Sequence, residues 1–383
     1  MTPGARAAAA ISVLDDWLDG APVERALLRW ARGARYAGSG DRAAVRDLVY
    51  DAVRRRRSAA AAGGALTGRG LVLGTLRLDG TDPATLFTGQ GHAPPPLDEG
   101  ERPGAAPADR GTRLDWPDWL LPHADAALGA GAEAALAAQR DRAPVFLRAL
   151  GDRGVAAERL AEEGISVSPL ADVATALEVT RNARRVAASA AFREGLIDLQ
   201  DASSQAAILS LPLAGGETIL DYCAGGGGKS LAVAARGAGR VVAHDADPAR
   251  MADIAPRALR LGAEVEVVPD LPPGLLADLV IVDAPCSGSG TWRRAPEAKW
   301  RLTPDRLAEL TALQDDILAE AARHVRPGGI LAYMTCSIFR DENEDRVNAA
   351  RAGWAADWQS RLERRWIPGP GGDGFYLALL ARP

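Results

Sequence analysis

Ile219-Leu-Asp-Tyr-Cys-Ala-Gly-Gly-Gly-Gly-Lys229 carries an apolar run of strand length straight into four consecutive glycines and a lysine. Glycine turns tightly and lets a ligand approach the backbone closely. Outward from this stretch the pattern repeats. Thr218–Tyr222, Arg240–His244, Glu264–Val268, Leu279–Val282 and Ile330–Thr335 are apolar runs of strand length, with helical stretches between most of them. Strands alternating with helices argue for an α/β fold built on a doubly wound parallel sheet. Ligands of such sheets sit at the carboxyl ends of the strands, near the point where strand order reverses. The glycine turn is therefore the expected cofactor edge. Arg361–Ile367 and Phe375–Leu380, joined through a Gly/Pro turn, read as a closing antiparallel hairpin.

The second strand ends in Asp245, 24 residues after Asp221. A carboxylate there can accept both hydroxyls of a ribose, which also fits a dinucleotide. Gly225, Gly226, Gly227 and Gly228 followed by Lys229-Ser230 form neither GxGxxG nor a P-loop, so an adenosyl group without phosphates fits better. The bland alternative is a structural turn. Asp270, after the third strand, either faces an adenine or is a turn residue before Pro272-Pro273.

The cysteines are Cys223, Cys286 and Cys336. Their odd number and wide spacing argue against a disulfide framework and a zinc site, and the four histidines form no ligand motif. No metal is expected. There is no signal-peptide pattern and no 18-residue apolar run, so no membrane partner is expected and a cytoplasmic location is. Free thiols can then be reactive. Asp283-Ala-Pro-Cys286-Ser-Gly-Ser-Gly-Thr291 follows the fourth strand, and Thr335-Cys336-Ser337 ends the fifth. Adjacent parallel strands would bring both thiols to the rim that carries the glycine turn. A lone buried cysteine is usually inert packing. Two at strand ends beside a cofactor turn point to thiol chemistry. An attacking thiol needs a lowered pKa, which a nearby cation such as Lys229 helps provide. Only Lys229 and Lys299 are lysines, so a lysine in the glycine turn is informative. Spacing does not say which thiol attacks.

Toward the N-terminus, Val145–Leu150 reads as a strand and Ala156–Glu163 as a helix, with short β segments to about Leu199: a small α+β unit. Residues 1–78 read as helical, through Ala7–Leu18, Val23–Ala34 and Ala43–Arg54, with Asp41 as a candidate N-cap. Residues 89–111 hold five prolines and five glycines and read as a linker; Trp116 to Trp119 opens another helical stretch to about Arg142. The expected domains are 1–142, 143–200 and 201–383. A net charge of −5 argues weakly against a nucleic-acid partner. Yet residues 1–60 hold eleven arginines against seven acidic residues, including the run Arg54–Arg57. That run reads equally as a solvated helix end or as phosphate contacts.

Together these motifs resemble the Nop2/Sun-type RNA cytosine-5 methyltransferases, and within them the bacterial 16S ribosomal-RNA branch. The resemblance covers nearly the whole chain. Glu194 to Gln205 resembles the entry to the family's methyltransferase domain. Asp221 to Lys229 resembles its first cofactor motif, Asp283 to Thr291 its Pro-Cys motif, and Trp292 to Trp300 the loop that follows. Tyr333 to Ser337 with Glu342-Asn343-Glu344 resembles its Thr-Cys motif. Pro144-Val-Phe-Leu-Arg148 resembles the start of its small RNA-binding unit, and the helical N-terminus, including Asp41 to Tyr50, resembles a NusB-like domain.

The resemblance implies a class I S-adenosylmethionine-dependent methyltransferase, with ribosomal RNA as partner and a monomer as the expected state. It implies that Cys336 is the nucleophile and that Cys286 assists product release. It implies that Cys223, Ala224, Gly225 to Gly228, Lys229, Asp245, Asp270 and Asp283 line the cofactor site, with Lys229 and Asp283 also reaching the base. By the same token Arg54–Arg57 would meet RNA phosphates. The chain departs from the family at Gly226, where a proline is usual. Two rival readings remain open from sequence. One is a non-catalytic ribosome-assembly factor that retains the fold. The other is a methyltransferase of DNA or a small molecule, against which the Thr-Cys motif speaks.

Overall fold

In the computed structural model, residues 1–101 and 109–383 are described. The chain forms two compact units. One comprises Met1–Asp125, Ala130–Arg142 and Trp292–Arg301; the other comprises Ala126–Gly129, Ala143–Thr291 and Leu302–Pro383.

The first unit is helical, led by α1 (Pro3–Leu18), α2 (Val23–Gly33), α3 (Ser39–Arg54), α4 (Arg56–Gly63) and α5 (Gly68–Leu78). Val13, Leu14, Trp17, Val45, Val49, Leu71 and Leu73 recur at helical spacing and close its core. Helices α4 and α5 pack backbone to backbone: a Cβ on Gly63 would lie 1.8 Å from the Gly70 carbonyl oxygen, and one on Gly74 1.8 Å from that of Ala59. Helix α3 starts earlier than the sequence suggests. Gly38 is its cap, and Asp41 sits in the first turn, where its carboxylate accepts from the Gly38 N–H at 3.2 Å. Of the expected linker, residues 89–101 form neither helix nor strand, and a further helix spans Arg110–Leu114. Residues 102–108 lie outside the described residues.

The run Arg54–Arg57 braces this unit from within. Arg54 is buried and donates to the Arg293 carbonyl at 2.8 Å and to Asp51 at 2.6 Å. Arg55 pairs with Asp79 at 2.7 Å. The Arg56 guanidinium lies over the Trp17 and Trp300 rings. Arg57 donates to Thr112, to the Trp116 carbonyl, and to Asp109 and Asp118. None of the four is exposed and each already has an internal partner, so the run is not a solvated helix end.

The second unit opens with a four-stranded antiparallel sheet of β1 (Phe146–Ala149), β2 (Ser166–Pro169), β3 (Ala176–Arg181) and β4 (Ile197–Leu199), ordered β2-β3-β1-β4. The helix Arg153–Glu162 packs on it through Ala156 and Leu160. The main sheet follows: β5 (Thr218–Asp221), β6 (Arg240–Ala243), β7 (Glu266–Val267), β8 (Ala277–Asp283), β9 (Val325–Thr335), β10 (Gln359–Trp366) and β11 (Phe375–Ala381). Its order is β10-β11-β9-β8-β5-β6-β7. Strands β5 to β9 are mutually parallel, and β11 lies antiparallel to β9 and β10. The doubly wound sheet with its closing hairpin is therefore present, as a class I methyltransferase fold.

Both faces of the inner strands β5, β6, β8, β9 and β11 are covered, which explains why they read as continuous apolar runs rather than alternating ones, while the edge strands β7 and β10 are largely exposed. Leu220, Val242, Val280, Leu331 and Tyr333 pack on one face. Ile219, Val241, Ile281, Ala332 and Met334 pack on the other. The order reverses between β5 and β8. That switch point is the place where such sheets open a crevice for ligands.

Candidate active site

Register sets the rim. Asp221 at the end of β5 pairs with Ile281 of β8, and Asp283 at the end of β8 pairs with Met334 of β9. Asp221, Asp283 and Thr335 therefore end their strands at one edge, each leading into a motif loop. After β5 the chain turns through Gly225 (φ +49°) and Gly227 (φ +77°), and the helix Gly228–Ala234 begins. These left-handed values are why glycine is needed at those two positions. Gly226 is not left-handed, and a Cβ there would meet only Arg257, at 3.6 Å.

Asp245 follows β6 and is buried. Its carboxylate accepts from the Gly225 N–H at 2.9 Å and the Asp247 N–H at 3.0 Å, and pairs with Arg250 at 3.0 Å. Asp221 is also buried; one oxygen accepts from Ser230 at 2.6 Å, while Oδ1 has no hydrogen-bond partner. Burial pushes its carboxyl up to about 6, against the pull of the Ser230 hydroxyl. A glycine cradle, a rim carboxylate and an unsatisfied buried oxygen suit a ligand with ribose hydroxyls and an amino group. S-adenosylmethionine carries both, so these residues fit it.

Lys229, in the first turn of the helix, donates to Asp283 at 2.5 Å and lies 5.3 Å from the Phe375 ring centre. Burial alone would lower its pKa. The Asp283 carboxylate overrides burial and holds the ammonium charged. Beside this pair, Cys286 Sγ and Cys336 Sγ are 3.4 Å apart. One proton shared between two sulfurs splits their acidities. Cys336 is lowered, chiefly by the hydrogen bond from Cys286 and further by the Lys229 ammonium, against burial. Cys286 is raised, chiefly by that same hydrogen bond and then by burial. The arrangement suits a thiolate at Cys336 and a thiol at Cys286.

Both thiol-bearing loops are gripped by one carboxylate. Buried Glu342 accepts from the Ser287 N–H at 2.7 Å, the Ser287 hydroxyl at 2.5 Å and the Ser337 hydroxyl at 2.5 Å. Gln314 donates to it at 3.2 Å. Asn343 ties Thr335 and the Ser337 carbonyl into the same network. The Gly290 N–H donates to the Cys336 carbonyl at 2.9 Å, which stitches the two loops directly.

Of the residues singled out in the sequence, Ala224 to Lys229, Asp245, Asp283, Cys286 and Cys336 occupy this rim. Cys223 stands at the same turn with its thiol pushed up by burial and by the Asp221, Asp283 and Asp245 carboxylates. Asp270 is exposed beyond β7, before Pro272-Pro273, with no hydrogen bond to the others. Arg250 and Asp221 went unremarked as site residues in the sequence. The signal for Asp221 is an acid closing an apolar strand. Arg250 has none, because its partner is set by the fold. Among the described residues, no group of His, Cys, Asp and Glu is placed to hold a metal, and no helix is long and apolar enough to cross a membrane.

Comparison with known proteins agrees with this geometry. The family model described as 16S rRNA methyltransferase RsmB/F matches residues 208–381. Ribosomal RNA small subunit methyltransferase B of Klebsiella pneumoniae (strain 342) is 34% identical over 295 residues, covering 72% of this chain and 68% of that one. The protein of the same description from Sodalis glossinidius is 39% identical over 212 residues, covering 50% of this chain and 48% of that one. Among solved structures, PH0851 superposes with a TM-score of 0.76 at 24% identity, covering 99% of both chains. A methyltransferase homologue from Pyrococcus horikoshii gives 0.61 at 24% identity, covering 71% of this chain and 97% of that one. These structural likenesses speak for the fold. The sequence relationship goes further: this chain belongs to the ribosomal RNA small subunit methyltransferase B family.

Proposed function

We propose that this protein methylates carbon 5 of a cytosine in 16S ribosomal RNA, through a covalent bond between Cys336 and the base. S-adenosylmethionine is the cofactor, and it supplies an electrophilic methyl group. The observation that carries the reading is the pair of sulfurs 3.4 Å apart, beside a charged Lys229–Asp283 pair, on the rim that holds the glycine turn.

The Gly225–Gly228 backbone and the Asp245 and Asp221 carboxylates would hold the cofactor. Carbon 5 of cytosine is a weak nucleophile. The Cys336 thiolate adds to ring carbon 6, and the carbon 5–carbon 6 π electrons move onto the ring, which makes carbon 5 nucleophilic. Density gathers at ring nitrogen 3 and the exocyclic oxygen, where the Lys229 ammonium and Asp283 stabilise it. To reach this rim the base must leave its stack. After carbon 5 is methylated its proton passes to a water molecule. That electron pair re-forms the ring double bond, and the sulfur–carbon bond to Cys336 breaks, its electrons returning to Cys336 as a thiolate. The Cys286 S–H, already bonded to Cys336, meets the departing thiolate.

The test is methyl transfer from tritiated S-adenosylmethionine to undermethylated 16S ribosomal RNA. Cys336→Ala is expected to abolish transfer while cofactor binding persists; full activity would refute the assignment. Cys286→Ala is expected to trap a protein–RNA adduct, seen as a slow band on a denaturing gel. Bisulfite sequencing of total RNA from a deletion strain and its parent locates the cytosine. Failure to bind S-adenosylmethionine by calorimetry, in folded protein, would favour an assembly factor instead.

A further inference from the structure

The sulfur pair on the rim is placed for a second chemistry, separate from attack on a base. Cys286 Sγ and Cys336 Sγ are 3.4 Å apart, so the two atoms already touch. Both side chains are half-buried, within reach of a small solute. Glu342 grips the loops that carry them, through Ser287 and Ser337, so the fold itself holds the sulfurs side by side. The pair is also unequal. The hydrogen bond from Cys286 and the nearby Lys229 ammonium favour the thiolate on Cys336, and the proton stays on Cys286. Attack on a peroxide needs a thiolate open to solvent, and a second thiol beside it resolves the product to a disulfide. Cys223 supplies the contrast. It too is half-buried, but burial and the Asp221, Asp283 and Asp245 carboxylates push its thiol up, and it makes no hydrogen bond to either of the other sulfurs.

We infer that the Cys286–Cys336 pair is a peroxide-sensitive modification site, at which Cys336 is oxidised and Cys286 closes a disulfide. The Cys336 thiolate attacks one oxygen of hydrogen peroxide. The oxygen–oxygen bond breaks; one oxygen stays on Cys336 as a sulfenic acid, and the other leaves as hydroxide. The Cys286 sulfur then attacks the Cys336 sulfur. The sulfur–oxygen bond breaks, and the departing hydroxide takes the Cys286 proton and leaves as water. Two electrons have passed from the sulfurs to the peroxide, and a dithiol reductant returns them by thiol–disulfide exchange. A disulfide has no thiolate to add to ring carbon 6, so oxidation also switches off methyl transfer. That consequence, unlike the disulfide itself, rests on the function proposed above.

The test uses the full chain, reduced with dithiothreitol, freed of reductant and exposed to hydrogen peroxide. Remaining thiols are blocked with N-ethylmaleimide, and tryptic peptides are read by mass spectrometry. Peptides joined through Cys286 and Cys336 are expected, with Cys223 alkylated. Cys336 should lose its thiol about tenfold or more faster than Cys223, whose thiolate is scarcer. Cys286→Ser should stop at the sulfenic acid, which dimedone captures on Cys336. Cys336→Ser should leave Cys286 reduced under the same peroxide. Methyl transfer should fall in step with disulfide formation and return with dithiothreitol. The inference is overturned if the pair stays reduced, if all the thiols react at one rate, if the disulfide joins two chains on a non-reducing gel, or if the oxidised protein methylates at the full rate. Methyl transfer by the fully reduced protein, measured first in the same samples, reports separately on the methyltransferase reading.

Discussion

Lys229 and Lys299 are the chain's two lysines, Lys229 half-buried and Lys299 buried, and their surroundings drive them in opposite directions. Lys229 ends the glycine turn of the second unit and meets Asp283 at 2.5 Å. Lys299 lies in the first unit, in the helix Pro296–Arg301, where its ammonium donates to the Arg54 carbonyl at 3.4 Å and faces the Trp300 ring at 4.7 Å and the Trp116 ring at 5.8 Å. Burial lowers its pKa to about 7, more than the distant Asp115 carboxylate restores. Desolvation works against both ammonium groups. What separates them is a carboxylate within bonding reach. A group kept charged against that desolvation belongs to a site that uses the charge. A lysine that loses its charge as pH rises through about 7 serves packing, through its alkyl stem against two indole rings.

The largest expected effect tests the Lys229 side of this contrast. Lys229→Met removes the cation beside Cys336 and leaves Asp283 without its partner. Methyl transfer is expected to fall by about 10²–10³-fold, the usual loss when one electrostatic donor is removed from a developing negative charge. Wild-type rates in this variant would break the comparison. The Lys299 side is tested by pH. Its folded pKa, about 7, lies below the unfolded lysine value of roughly 10.4. Between those values the unfolded chain binds the proton and the folded chain does not, so this group makes stability rise with pH. The contribution is fully present above the unfolded value and is lost as pH falls through about 7. Lys299→Met should flatten that rise by on the order of a few kcal/mol. Urea unfolding of both proteins at pH 7 and pH 10 measures it, and the difference between them cancels the other titrating groups. Methyl transfer in Lys299→Met should stay within about threefold of wild type. Identical pH dependence in the two proteins would sink the assignment.

What could be read in the sequence follows the same division. The β5, β6, β8 and β9 runs are legible because a strand buried on both faces must be apolar throughout. The two cysteine loops are legible as a shared rim because parallel strands place their ends together. The bracing role of Arg54–Arg57 is not legible because its partners, Asp79, Asp109, Asp118 and Arg293, are fixed by packing and not by local pattern. The packing of Trp292–Arg301 with the N-terminal helices has the same cause. Glu342 was visible only as part of a motif. That it grips Ser287 and Ser337 together depends on the crossing of two loops some 50 residues apart. Asp41 was placed at the wrong helix position because Ser39 and Gly40 carry no apolar signal, so the periodicity starts after the helix does.

The finest form of the contrast lies in the turn that delivers Lys229, between two adjacent glycines. Gly227 has φ +77°, and a Cβ there would sit 2.8 Å from Ile254 Cγ1. Gly226 is not left-handed, and its Cβ would lie at an ordinary 3.6 Å from Arg257. Gly227→Ala should therefore lower stability by about 1–2 kcal/mol from the backbone alone, and shift Lys229 with it. Gly226→Ala should be neutral or stabilise by up to about 1 kcal/mol, because it reduces the freedom of the unfolded chain. Thermal unfolding separates the two. If both variants lose the same stability, the turn needs glycine for close approach along its whole length, and the proline usual at this position in the family would be excluded here by geometry. If only Gly227→Ala suffers, glycine at 226 is a tolerated replacement, and the position of Lys229 rests on the left-handed residues alone.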